Sequence, residues 1–449
     1  MEYTPDIQAA SRDPKSLEAL YQAVLQAGAE SDFQASLEAC YAAEPENLLY
    51  AAWHYRLREA AMPSRMAQAP SPAAAQARER PGPNWKLAVP LGIATGLIFW
   101  ALSDEKLLFL DHLPYLFLLW APIAALLAMG FLAFTAGAGY RRAMLAGLGL
   151  LGAGAYVLLI TPGQGQGYHR HYLDLAAIHL PLLSWIALGL AVLGLVASHA
   201  NRFAFLIKSI EVAITAGVYL IAGVAFGTIT IGMFTALSIE LPEVLMRLVA
   251  AGGFGLIPIL AVASIYDPAL APASQDFSQG LSKFIATMMR LLLPLTLGVL
   301  VVYLFVIPFN FLEPFRNRDV LIVYNVMLFA IMGLLMGATP IRPADLSARV
   351  QSALRRGILA VAILAALISL YALSATLYRT VQGGITINRL TILGWNTINI
   401  SILGLLIYRL FRWGQARWVE ALQATFSQAP AGYIFWSLFI LIAIPLLFR

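Results

Sequence analysis

The chain has 449 residues, of which 60% are hydrophobic and only 12% charged. Soluble domains hold roughly 45–50% apolar and about 25% charged residues, so a soluble globular protein is excluded, as are disordered and collagen-like chains. The formal net charge of +5 reflects loop bias in a multi-pass membrane protein rather than affinity for nucleic acid, and no nucleic-acid partner is expected. A lone cysteine, Cys40, cannot close an internal disulfide, and its polar surroundings fit a reducing compartment.

Residues 1–62 read as a small helical domain. Leu17, Leu20, Tyr21, Val24 and Leu25 follow the i, i+3, i+4, i+7, i+8 spacing of one helix face. Phe33, Leu37, Cys40 and Tyr41 repeat the pattern, and Leu49, Trp53 and Leu57 continue it beyond Pro45. No basic segment precedes an apolar run here, so no cleaved signal peptide is expected. The stretch Asp32–Asn47, DFQASLEACYAAEPEN, resembles the second helix and turn of a tetratricopeptide-type repeat. In a frame starting at Pro14, residues Leu17, Leu20, Val24, Phe33, Leu37, Cys40 and Pro45 take that repeat's packing and turn positions, with Tyr21 and Phe33 where small residues are usual. The resemblance implies a module that recruits a cytoplasmic protein partner through residues 14–60; without it, the region is a helical cap. Residues 63–85 are rich in Pro, Ala, Gln and Arg, lack apolar periodicity, and read as a linker.

From residue 86 onward the chain is a transmembrane domain. Spanning hydrocarbon takes about 20 apolar residues as helix. Eleven stretches qualify, near 87–103, 114–136, 143–160, 174–198, 212–237, 244–266, 285–308, 320–339, 358–378, 391–411 and 431–448. The expected fold is therefore an all-α polytopic bundle with a small N-terminal cytoplasmic helical domain. Fifteen Lys and Arg flank the spans on the side of the N-terminus and seven on the other. That asymmetry places the N-terminus in the cytoplasm and the C-terminus outside, and membrane lipids are the expected surroundings.

Several groups are candidates for chemistry. In the sixth span, Gly252, Gly253, Gly255 and Pro258 offer either a broken helix exposing backbone to a substrate or close helix packing. Asp104, Glu105, Asp111 and His112 form an acidic first outer loop, too short for an acceptor groove. His169, His171 and Asp174, in a glycine-rich loop, offer metal-ligand chemistry, but an interfacial loop is the favoured reading. Glu211, Arg247 and Arg290 are expected near helix ends, with the arginines snorkelling to headgroups, and His179 is expected to be a packing residue. No catalytic residue, metal or cofactor is assigned.

The most informative segment is Tyr378–Leu390, YRTVQGGITINRL. Gly384, Ile385, Thr386 and Arg389, with Trp395 downstream, resemble the Gly-Leu/Ile-Thr-x-x-Arg segment of a bacterial family of polytopic inner-membrane proteins classed as a domain of unknown function. The resemblance covers roughly Pro308 to Trp413 and implies a helical inner-membrane protein without supplying an activity. Gly383 and Gly384 permit a tight turn. Arg389, Asn396 and Asn399 fall on one face of the following helix, and Tyr371, Ser374 and Tyr378 on one face of the preceding one. The two stripes are expected to face each other or a wet outer cleft. Arg379, Thr386, Arg389, Asn396 and Asn399 are its candidate ligand-binding residues, and a purely structural clasp by Arg389 is the competing reading. Three functions fit: a transporter or permease for a lipid or solute, a scaffold recruiting a cytoplasmic partner, or an envelope-lipid or glycan enzyme.

Overall fold

The computed structural model of the chain describes residues 3–27, 29–57, 82–163, 165–278, 280–343 and 346–448. The chain divides into two compact units, Met1–Gly82 and Pro83–Arg449.

The first unit contains helices α1 (Thr4–Ala9), α2 (Pro14–Ala27) and α3 (Glu30–Ala43), and α4 over residues 48–57. The apolar stripes read from the sequence meet in one core, where Leu17, Val24, Phe33, Leu37, Cys40 and Trp53 are buried. Helix α1 has no counterpart in the periodicity, because six residues are too few to show one. Its Ile7 nevertheless plugs the core, and the Tyr50 hydroxyl donates to the Ile7 carbonyl at 3.4 Å. Residues 58–81, most of the expected linker, lie outside the described residues.

The second unit is almost entirely helical. Eleven of its described helices are long and apolar enough to cross a membrane, and the protein is a polytopic α-helical membrane protein. They are α5 (Trp85–Leu102), α6 (Tyr115–Ala136), α7 (Tyr140–Ile160), α8 (Gln166–Leu193) and α9 (His199–Ala236). Then come α10 (Glu243–Ile265), α11 (Gly280–Val306), α12 (Arg318–Ala338) and α13 (Ala348–Gly383). The last two are α14 (Ile387–Arg412) and α15 (Trp418–Leu447). Each overlaps an expected stretch, but α8, α9, α13 and α15 begin well before it. An apolar-run reading stops at charged residues, whereas the helices continue through them.

Helix α9 shows why such an extension is tolerated. Lys208 and Glu211, both buried, pair at 2.7 Å. Lys208 Nζ also donates to the Asp276 carbonyl at 2.6 Å and to Ser282 Oγ at 3.0 Å, and Ser282 Oγ donates to Glu211 Oε2 at 2.7 Å. A buried charge persists only when paired and hydrogen-bonded. Glu211 is thus an interior group of the bundle and not a helix-end residue.

Helix α10 is continuous. Leu248–Gly252 forms a π-helical turn and the α-helix resumes at Gly253. Its glycines serve close packing on α5: a Cβ added at Gly255 would lie 2.6 Å from the Gly96 Cα, and one at Gly96 would lie 2.6 Å from the Gly252 carbonyl oxygen. The broken-helix alternative is therefore replaced by close packing, since a π turn adds a residue without opening the backbone. Arg247 does not snorkel either; it bonds Asp104 at 2.9 Å, Ser103 Oγ at 3.2 Å and the Trp100 carbonyl at 3.2 Å. Arg290 likewise donates to the Ala338 carbonyl, at 3.4 Å.

Candidate functional site: an arginine-lined cavity

The segment between α13 and α14 is built around two glycines and an arginine. Helix α13 ends at Gly383, and Gly384 adopts φ +76°, a left-handed conformation suited to glycine. Thr386 caps α14, its hydroxyl accepting from the Arg389 backbone N–H at 3.3 Å. Arg389 then folds back, and its Nη1 donates to the Gly384 carbonyl at 2.7 Å. Gly383, the last residue of α13, is helical rather than left-handed: a Cβ there would lie 2.7 Å from Arg389 Nη1, so the missing side chain makes room for the guanidinium. The clasp expected as one reading of the Gly-Gly…Arg motif is present.

Beside this turn lies a cavity of about 490 Å³. Its walls come from the start of α8, the start of α12, the end of α13, the α14 entry and Phe448 after α15. Arg379, Arg389 and His171 supply its basic groups, and Tyr168, Thr376, Thr386 and Asn388 its neutral polar ones. Leu321, Ile322, Ile385, Ile387, Ile392 and Phe448 make the remainder apolar. Among the described residues no Asp or Glu lines it. All these elements belong to the end of the bundle that carries the connections after odd-numbered spans.

The two arginines differ. Arg389 is engaged in the clasp. Arg379 is half-buried, and its Nη1 is shielded from solvent without a hydrogen-bond partner. An orphaned buried donor costs about 1–3 kcal/mol. A planar guanidinium matches phosphate and carboxylate oxygens, and Arg379 lines the cavity.

Asn396 and Asn399 lie elsewhere. Both are fully buried, one and two turns beyond Ile392 on α14. Asn399 Oδ1 accepts from the Tyr433 hydroxyl at 2.6 Å, while the Nδ2 atoms of both residues lack partners. Next to them, Trp395 Nε1 donates to His179 Nε2 at 3.2 Å, and His179 Nδ1 faces the Leu175 carbonyl at 2.7 Å. Nδ1 must carry the proton to face a carbonyl, which leaves Nε2 as the acceptor and the imidazole neutral. His179 is a satisfied interior residue.

The stripe of Tyr371, Ser374 and Tyr378 does not face these asparagines. The Tyr371 hydroxyl donates to the Phe311 carbonyl at 2.7 Å, and its ring packs on Phe311, Phe315 and Tyr324. Tyr378 packs on Phe315 and its hydroxyl accepts from Gln382. Residue spacing defined each stripe, but the rotation of each helix about its axis was set by aromatic packing that spacing does not encode.

The segment after the glycines is helical rather than a loop. Helix α8 starts at Gln166, so His169, His171 and Asp174 are helical. Asp174 Oδ1 meets His112 Nε2 at 3.0 Å, and His171 lines the cavity. Sequence spacing does not link His171 and Tyr168 to Arg379, because their neighbourhood depends on helix packing. Asp104, in the loop between α5 and α6, is held below the ordinary carboxylate range, first by the Lys106 backbone N–H and then by Arg247, which gives it a bridging role rather than the raised affinity for protons of a general acid.

No protein-family model, curated protein or solved structure matches the chain.

Proposed function

We propose that this membrane protein is a permease for a lipid or solute bearing an anionic group, and that the arginine-lined cavity is its outward-facing binding pocket. One observation carries the reading: Arg379, whose guanidinium holds a buried nitrogen without a hydrogen-bond partner, lines a cavity of about 490 Å³ that contains no carboxylate among the described residues. The apolar wall of Ile322, Ile385, Ile392 and Phe448 suits an amphiphile as well as a small anion. The excess of Lys and Arg on the N-terminal side supports an outward orientation for this end. The likeness of Gly384–Arg389 to its bacterial counterparts supports an inner-membrane location.

The test is reconstitution in vesicles, with movement of labelled phosphate, a dicarboxylate and a fluorescent anionic phospholipid followed across the bilayer. At least one should move, and Arg379→Gln should slow it at least tenfold. Movement of none, or equal movement by the variant, rejects the permease.

A second reading is a scaffold that binds a cytoplasmic protein through residues 14–60. It is favoured by α4, where Leu48 is 86% and Tyr55 59% exposed. Deleting residues 1–57 should then remove a specific co-purifying protein while the membrane unit stays folded.

A further inference from the structure

A second cavity, of about 420 Å³, lies at the opposite end of the bundle, the end that carries the connections after even-numbered spans. It is bounded by the α6–α7 connection, the α8–α9 connection and residues 266–272 after α10. Its buried lining is apolar, with Met129, Leu132 and Ala133, and Arg142, Ser198 and Asn201 supply polar groups. Among the described residues no Asp or Glu lines it.

Arg142 is exposed where it borders the cavity. Its side chain lies against two glycines in the left-handed region, Gly139 at φ +79° and Gly194 at φ +68°. A Cβ at Gly194 would come within 3.3 Å of Nη1, and one at Gly139 within 3.5 Å of Nη2. Arg142 has no hydrogen bond or ion pair with the described residues, although its guanidinium carries five donors. Asn201 adds an amide. Its Oδ1 accepts from the Ala273 N–H at 3.0 Å, and among the described residues its Nδ2 has no acceptor. Ser198 caps the 38-residue α9 by accepting from the Asn201 N–H at 3.3 Å, and the other first-turn N–H groups of that helix remain available.

We propose that this cavity binds a phosphate group, carried by a membrane-lipid headgroup, between Arg142 and the Asn201 amide. The guanidinium fork matches phosphate oxygens, the start of α9 adds positive potential, and the apolar buried lining accommodates the lipid's hydrocarbon. The site is separate from the outward cavity and stands whether or not that one transports anything.

The test uses the full chain, purified in a non-ionic detergent and stripped of lipid, in an Arg379→Gln background so that the outward cavity does not contribute. Thermal unfolding is followed with added dihexanoylphosphatidylglycerol or with inorganic phosphate at the same concentration. The lipid should raise Tm by several degrees. Arg142→Gln should abolish that shift, and Arg141→Gln, which alters a neighbouring cation outside the cavity, should preserve it. Should Arg142→Gln fail to fold, Asn201→Asp serves instead. It keeps the acceptor for Ala273, replaces the amide donors by negative charge, and is tolerated near a helix N-terminus. It too should lose the shift. A full shift with inorganic phosphate, again lost in these variants, supports the phosphate site and assigns it to the free anion. No shift with either probe, or a shift that survives Arg142→Gln or Asn201→Asp, or one equally lost in Arg141→Gln, overturns the proposal.

Discussion

Lys208 Nζ and Glu211 Oε2 lie 2.7 Å apart on one face of α9, both buried. The Asp276 carbonyl, from the α10–α11 connection, and Ser282, in the first turn of α11, complete the network, and the centre of the Phe277 ring lies 4.5 Å from the ammonium. The pair therefore joins α9 to the entry of α11. Removing one partner leaves an uncompensated charge in a low-dielectric interior, which costs about 3–5 kcal/mol. Glu211→Gln should show that loss by thermal unfolding in detergent. The double variant Lys208→Met, Glu211→Leu should recover much of it, because two apolar side chains leave no charge to desolvate. Equal destabilisation by the single and double variants would mean that the hydrogen bonds to the loop, and not charge balance, hold the junction.

The glycines of α5 and α10 give a graded prediction. Gly255→Ala places a Cβ 2.6 Å from backbone of α5, and backbone cannot yield as a side-chain end can. Overpacking of this kind costs typically about 1–3 kcal/mol. At Gly92 the nearest atom to an added Cβ is Leu256 Cδ2 at 3.5 Å, ordinary contact. Gly92→Ala should be neutral or slightly stabilising, since alanine favours helix. A melting series in which both substitutions behave alike would contradict the close-packing role of Gly255.

The Arg389 clasp predicts sensitivity to shape as well as charge. Arg389→Ala removes the bond to Gly384 and should destabilise the α13–α14 turn by about 1–2 kcal/mol. Arg389→Lys keeps the charge but loses the planar fork that lies against Gly383, and should restore little of that loss. Full restoration by lysine would assign the residue to electrostatics alone.

In the first unit, Glu18 sits below the ordinary carboxylate range because of its hydrogen bond to Arg56 and then that to Gln22. A carboxylate whose folded pKa is depressed adds stability above its unfolded value, about 4.3 for Glu, and loses it as pH falls through the folded value. Residues 1–82 expressed alone should therefore be helical, marginally stable, and less stable on acidification from pH 5 to pH 3. Glu18→Gln should flatten that slope, and high salt should do so in part, because the pair is exposed. An unchanged slope in Glu18→Gln would transfer the effect to Asp13, which the Ser16 hydroxyl and the Lys15 N–H also hold low.

Sidedness calls for a residue other than the native thiol. Cys40 is 2% exposed and its thiol is pushed up first by burial and then by Glu44, so its silence toward an external reagent would report burial as much as location. Leu48→Cys in a Cys40→Ser background supplies an exposed thiol on the same unit. It should react in opened membranes and not in intact cells. Reaction in intact cells would reverse the proposed orientation.

The helices were legible in the sequence because hydrocarbon imposes a length and an apolar content that any span must meet. The turn between α13 and α14 was legible in part: Gly384 takes the left-handed φ that a tight turn asks of glycine, whereas the Thr386 cap emerges only from the structure. What the sequence left open was rotation and neighbourhood. Arg379 and Arg389 line one cavity with His171, a residue more than 200 positions earlier, while Asn396 and Asn399 are buried outside it and Asn399 bonds Tyr433. The charges of α9 were misplaced for a related reason. Hydropathy scores Lys208 and Glu211 singly and ends the span beyond them, whereas their mutual pairing lets the helix carry both inside.

The account turns on whether an anion can reach Arg379 from outside. Thr376, one turn before Arg379 on α13, is buried and lines the cavity. In a Cys40→Ser background, Thr376→Cys should be modified in intact cells by impermeant methanethiosulfonate reagents, and the anionic ethylsulfonate should react several-fold faster than the cationic trimethylammonium analogue. Arg379→Gln should erase that preference. No reaction from outside, or a preference for the cation that Arg379→Gln leaves unchanged, would contradict an outward-facing anion pocket.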